Sequence, residues 1–405
     1  MNLARSTALA AILLLTACAS PATSPSASPV ASAEPSAAPS VGPSDGPSPS
    51  PDGSPPVEPS SGPIAEWRQT ATFDTSPATS YVVDVAAWEG GFVAVGSAWD
   101  SEFRVNREML AIWTSTDGES WDAQPVDLGV GDVTLIGVAP RADGQLLLVG
   151  RVPGMGSNLD ELEFASAAWI SADARAWEPV DLPMAAGDIV DSFDHGPKGY
   201  ALTANAELWW SADGVDWAMT YDGATGVVAG DEGFVALLVP EAAGPSSVVA
   251  SGDGQEWFPS DTVGTPLLEI APLGGDWVAT GYTDEPPTIR IWHSTNGLDW
   301  TPGVDVNDLT GPDGPKTGRG LNEAAINGAS LAGGAGYAFL TLTNNHCCAQ
   351  MSWNYGVWGS ADGITWEPVV EGDAFASSVA THADATVLVG HLGRGDDAAF
   401  WIGSR

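Results

Sequence analysis

The residues whose types could do chemistry sit mostly between the apolar runs of the chain. Arg104, Arg107, Arg151 and Arg319 lie in such stretches. A guanidinium grips a carboxylate through two parallel hydrogen bonds, so a convergent arginine set would make an anion site. Asp100, Glu102, Glu108, Asp305, Asp308 and Asp313 share those stretches and offer the competing reading, local ion pairing. Trp353 and Tyr355 would present an aromatic surface to a sugar or peptide, or simply pack. Cys347 and Cys348 are adjacent, and in an oxidising compartment such thiols can close a vicinal disulfide. A soft-metal site with His346 would have only those three ligands. Asp305, Asn307, Asp308 and Asp313 could hold a structural Ca²⁺, although not with EF-hand spacing; no other cofactor or metal is expected. The chain has no Gly-rich phosphate loop, zinc signature or nucleophile elbow.

Composition narrows the partners. The chain has 405 residues, 52 of them acidic and 13 basic, for a net charge of −39. Such a balance excludes a phosphate-neutralising nucleic-acid binder, which needs clustered Lys and Arg, and an electrostatic grip on anionic lipid. At 44% hydrophobic the chain can still bury a sizeable core.

A repeat supplies the elements that would position these residues. The pattern Ser-x-Asp-Gly-x-x-Trp begins at Ser115 and returns at Ser171, Ser211, Ser251, Ser294 and Ser360. Asp117, Asp173, Asp213, Asp253, Asn296 and Asp362 occupy its third position, and Ala174 replaces the Gly of the second copy, predicting a turn there that is distorted or of another type. Asp-Gly between apolar runs is a strong hairpin signal, because both residues tolerate positive φ. A carboxylate at the same place in every repeat cannot converge with the others on one site, so these side chains are expected to cap their own turns. A second element, a Gly-rich bend followed by an apolar run such as Gly91–Gly96, occurs seven times. The last copy is followed by one strand-like run, Phe400–Gly403, and then the chain ends, while Glu66–Gln69 offers a spare strand at the other end. Residues 64–405 shared among seven units give about 49 residues each, a common repeat length for propeller blades. The expected fold is therefore an all-β, seven-bladed β-propeller of four-stranded antiparallel blades, closed by an N-terminal strand. Loops joining second to third strands, together with the connection from Thr301 to Asn322, would form the binding face, opposite the Asp turns.

Residues 1–17 read as a signal peptide, and Leu15-Thr16-Ala17-Cys18 resembles the lipobox of bacterial lipoproteins. That resemblance implies lipidation of Cys18 and a place on the outer face of a bacterial membrane. Residues 18–63, rich in Pro, Ser and Ala, read as a disordered tether.

The turn pattern resembles the Asp box, or BNR repeat, of sialidases, sortilin-type receptors and photosystem assembly factors. Their boxes read Ser-x-Asp-x-Gly-x-x-Trp, one residue longer than these. The resemblance implies the propeller and leaves the activity open. A monomer that binds an extracellular glycan, peptide or protein without catalysis is the leading expectation. The alternatives are a sialidase-like or other glycoside hydrolase, and an assembly or scaffold factor for a membrane complex.

Overall fold

The computed structural model describes residues 64–404, except 65, 74–77, 101–107, 125, 132, 154–163, 186, 240–247, 261–266, 285–286, 311–315, 318–324, 327, 345–352 and 394–396. Seven antiparallel sheets of four strands form, the blades expected from the repeat. Blade 1 runs outward as Ala78–Trp88, Gly91–Asp100, Glu108–Ser115 and Asp122–Gln124. The inner strands of blades 2 to 7 are Thr134–Pro140, Val190–Gly196, Ala224–Gly230, Leu267–Leu273, Gly328–Gly334 and Ala374–His382.

The second strand of each blade is an apolar run because both of its faces are covered by neighbouring blades. Phe92, Val93, Ala94 and Val95 in blade 1, like Leu146 to Val149 in blade 2, are completely buried. Each large side chain so buried contributes roughly 1.5–3 kcal/mol. The turn tryptophans join this packing: Trp121 of blade 1 lies 4.3 Å, ring to ring, from Phe400 of blade 7.

Blade 7 takes its outer strand from the other end of the chain. Glu66–Phe73 pairs antiparallel with Asp397–Ser404, setting Trp67 opposite Gly403 and Gln69 opposite Trp401. Trp67 also meets Phe339 of blade 6 edge-on at 5.1 Å. The closure leaves the last blade without a free outer edge on Asp397–Ser404.

The Asp turns cap themselves as expected. Ser115 Oγ accepts from the Gly118 amide at 2.8 Å, and Asp117 Oδ1 accepts from the Glu119 and Ser120 amides at 2.8 and 2.9 Å. Those amides hold the carboxyls of Asp117, Asp173, Asp213 and Asp253 below the usual range. Asn296 makes the same pair of contacts through its amide oxygen, to Leu298 and Asp299 at 2.9 and 2.8 Å. The copy with Ala174 keeps the backbone shape and the Asp contacts of the turn but not all of its bonds. Among the described residues its amide makes no bond to Ser171 Oγ, and Trp177 Nε1 is buried without the carbonyl partner that Trp121 Nε1 finds on Gly118. Ala174 takes φ 59°, close to the 75° of Gly118, and Asp173 still accepts from Arg175 and Ala176, each at 2.9 Å. Its methyl group is wholly buried among Leu146, Trp169 and their neighbours, and that packing offsets the backbone strain.

A second departure concerns the stretch from Thr301 to Asn322. It opens as the fourth strand of blade 5, Thr301–Asp305, followed by one helical turn, Val306–Leu309. Asp305 is drawn into the blade by Arg290, whose Nε and Nη2 donate to its two oxygens at 2.6 and 3.1 Å. Val306 is completely buried beside it.

Candidate functional site

The inner strands share an irregularity that shapes the axis of the disc. In blades 1, 2, 3, 4, 5 and 7 a bulge precedes Asp84, Gly137, Ser192, Gly226, Glu269 and Ser378 respectively. A bulge re-aims the side chain beside it, and here the polar ones reach the inner strand of an adjacent blade. Asp84 Oδ2 accepts from the Val138 amide at 2.9 Å, Ser192 Oγ from Val227 at 2.9 Å, and Glu269 Oε2 from Leu331 at 2.6 Å. Ser378 donates to Asp84 Oδ1 at 2.6 Å. These latches tie blade to blade around the axis.

Two residues beyond Ser192, Asp194 makes one more latch. Its Oδ2 accepts from the Ala229 amide at 3.0 Å and its Oδ1 from the His195 amide at 2.7 Å. The corresponding position is Ala86 in blade 1, Ala139 in blade 2 and Ala271 in blade 5. Asp194 is therefore the exception, a carboxylate that joins Asp84 and Glu269 in the latch ring.

An axial cavity of about 580 Å³ opens from this level toward the Asp-turn face. Its wall includes Asp84, Arg141, Asp194, His195, Tyr200 and Asp231, and all seven blades contribute to it. Enclosure raises the Asp194 carboxyl to about 7, and the nearby Asp84 charge adds to that rise. Asp84 is raised by the same enclosure. Enclosure also lowers the His195 imidazole to about 4, so this ring is neutral at physiological pH. The ring stacks on Tyr200 at 6.4 Å, and the Tyr200 hydroxyl donates to the Pro140 carbonyl at 2.8 Å. Arg141 is committed elsewhere: its Nε donates to the Asp213 carbonyl at 3.1 Å, and its Nη2 lies 3.2 Å from Asp143.

Of the residues singled out in the sequence, Arg151 and Tyr355 are engaged between blades. Arg151 donates from Nε to the Val190 carbonyl at 2.6 Å and lies 3.5 Å from Asp191, so it ties blade 2 to blade 3. Tyr355 packs against the core between blades 5 and 6. Trp353 opens the strand Trp353–Ser360. Arg104, Arg107, Arg319, Asp313, Cys18, Cys347, Cys348 and the tether lie outside the described residues. Among the described residues no group of three or more His, Cys, Asp or Glu could hold a metal ion. Asn307 donates to Thr288 Oγ1 at 3.3 Å, and Asp308 sits in the helical turn.

Sequence reading missed the axial pair, Asp194 and His195. Their one local signal is polar residues at both places in a strand where the other blades carry mainly apolar residues or Gly.

The two faces of the disc differ. Every Asp turn is short, whereas on the opposite face the links between second and third strands range from two residues, 205–206, to ten, 154–163.

No protein-family model matches the chain, and no curated protein matches it. Among solved structures it is similar to YCF48 bound to a D1 peptide, at 13% identity over 84% of this chain and 97% of that one, TM-score 0.51. It is also similar to virginiamycin B lyase from Staphylococcus aureus, at 10% identity over 83% and 99% of the two chains, TM-score 0.50. A Hadza microbial sialidase matches at 12% identity over 80% and 66%, TM-score 0.41, too remote to bear on activity. At these identities the likeness establishes the fold, and the chain is a seven-bladed β-propeller of four-stranded antiparallel blades.

Proposed function

We propose that the chain is an extracytoplasmic lipoprotein, anchored through Cys18, whose propeller binds a segment of an extracellular protein without turning it over. The observation that carries this reading is the asymmetry of the disc: link length varies widely on one face and stays short on the other. In repeat architectures such variation gathers on the binding face. The similar propeller bound to a D1 peptide supports a peptide among the three ligand classes of glycan, peptide and protein. The amide latches give Asp84, Asp194 and Glu269 a structural role in the blade ring. Arg104, Arg107, Arg319 and Trp353 would be the contact residues. An assembly role is the form this binding takes if the partner is a membrane protein.

The test is to probe the full-length chain with overlapping peptides from extracellular proteins of the same cell, and separately with fluorogenic glycosides, sialosides included. Saturable peptide binding, lost when 101–107 and 345–352 are both replaced by Gly-Ser, is the expected result. Glycoside turnover abolished by a loop carboxylate substitution overturns the reading. Peptide binding unchanged by the loop replacement removes the site from that face. For the anchor, metabolic palmitate labelling should disappear in Cys18→Ser.

A further inference from the structure

The axial cavity lies toward the face opposite the variable links, and its chemistry does not depend on the peptide reading. Asp84 and Asp194 face it from blades 1 and 3, and neither has a cation beside it. Among the described residues no Lys or Arg forms an ion pair with either. Arg141 shares the wall but is held by Asp143 and the Asp213 carbonyl. An enclosed carboxylate is stable only when paired or hydrogen-bonded to saturation. Each carboxylate accepts at about four positions. Asp84 has used three of them, on Val85, Ser378 and Val138, and Asp194 has used two, on His195 and Ala229. Both therefore keep acceptor capacity to spare. His195 adds an imidazole with no hydrogen-bond partner among the described residues, and in its neutral state one ring nitrogen is an acceptor. At the mouth, Asp231 repeats the sign of charge.

From this geometry we infer that the axial cavity is a binding site for a compact organic cation, a primary ammonium carried on a slender chain, held by Asp194, Asp84 and His195. An ammonium has three donors and no acceptor, matching a wall that has acceptors to spare. A bare metal ion is the poorer fit, since no described set of three such ligands comes together and about 580 Å³ far exceeds an ion. The remaining wall from blades 5, 6 and 7 brings no titratable group: it is Pro272, Gly274, Gly333, Gly334, Ala335 and the segment from Ser378 to Thr381. The ammonium is found both on free diamines and on lysine side chains, and the cavity recognises what they share.

The experiment is isothermal titration of the full-length chain with 1,4-diaminobutane and, in a second arm, with a blocked Gly-Lys-Gly peptide. Blocked Gly-norleucine-Gly and Ca²⁺ serve as controls. At about pH 8 one cation should bind per chain, and affinity should fall roughly tenfold as pH drops through the Asp194 titration. Near pH 7 binding should release about half a proton, read from heats in two buffers of different ionisation enthalpy. Asp194→Asn should weaken binding about tenfold while keeping the Ala229 latch, and His195→Phe should weaken it less. Tighter binding of the diamine points to a free amine, and tighter binding of the peptide to a lysine side chain. The inference is overturned by no saturation at about 10 mM of either probe, by binding without proton release, or by equal binding of the norleucine control. Ca²⁺ displacing the amines at one per chain also overturns it. The proton-release measurement needs no variant, so a variant that fails to fold leaves the test intact.

Discussion

Ser378 and Asp84, 294 residues apart in the chain, share a 2.6 Å hydrogen bond from the inner strand of blade 7 to that of blade 1. It closes the ring at the axis, as the pairing of Glu66–Phe73 with Asp397–Ser404 closes it at the rim. Ser378→Ala should therefore lower stability by about 1.5–3 kcal/mol, the range for a hydrogen bond to a charged group. Asp84→Ala should cost more, because it also leaves the Val138 amide without its partner. Urea denaturation of both variants and the double variant checks this, with the double close to Asp84→Ala alone.

The turn carboxylates give a sharper contrast. Asn296 already makes the two amide contacts that Asp253 makes to Gln255 and Glu256. Asp253→Asn should thus change stability by less than about 0.5 kcal/mol, whereas Asp253→Ala should cost about 1–2 kcal/mol. Equal losses in thermal denaturation would show that charge, and not the acceptor, matters.

Ala174 and Gly254 occupy the same turn position with opposite constraints. A Cβ on Gly254 would come within 1.9 Å of Trp210 Cδ1, on top of its φ of +77°. Gly254→Ala should cost more than about 3 kcal/mol, combining overpacking with left-handed strain. Ala174→Gly should stay within about 1 kcal/mol of wild type, because relief of strain is offset by a lost buried methyl. Melting temperatures of the two variants test both signs.

Acid should act on the axis through two opposing groups. Asp194 rises from 3.8 unfolded to about 7 folded, so its contribution is full below pH 3.8 and is lost as pH rises to about 7. His195 falls from 6.5 to about 4, so its contribution is full above 6.5 and is lost as pH falls to about 4. Across that window the two nearly cancel. Asp194→Asn should unmask stability that increases with pH, and His195→Phe stability that decreases. Parallel pH profiles in wild type and both variants would refute the compensation.

What was legible depended on how local the cause was. The Asp turns were readable because Ser115, Asp117 and Gly118 bond within three residues of one another. The seam was readable because Trp67 stood alone at one end and a strand without a partner stood at the other. Arg151 looked like a ligand contact because its real partners, Val190 and Asp191, come from the next blade and leave no mark beside it. Asp194 and His195 were hidden for a related reason: the cavity exists only when seven inner strands meet, and no single strand encodes it. The stretch after Thr301 read as a loop because the bond from Arg290 to Asp305 spans 15 positions.

The rim closure also sets an order of events. Synthesis proceeds from the N-terminus, so Glu66–Phe73 is made first among the blade strands. It must wait, unpaired, for a partner that ends at Ser404; the Ser404 hydroxyl finally donates to the Glu66 carbonyl across 338 positions. Contacts of such separation form slowly. A chain interrupted anywhere before its last strand remains an open ring, with the early strand exposed to other chains and to proteases. The eight residues Asp397–Ser404 thus decide when the ring can close.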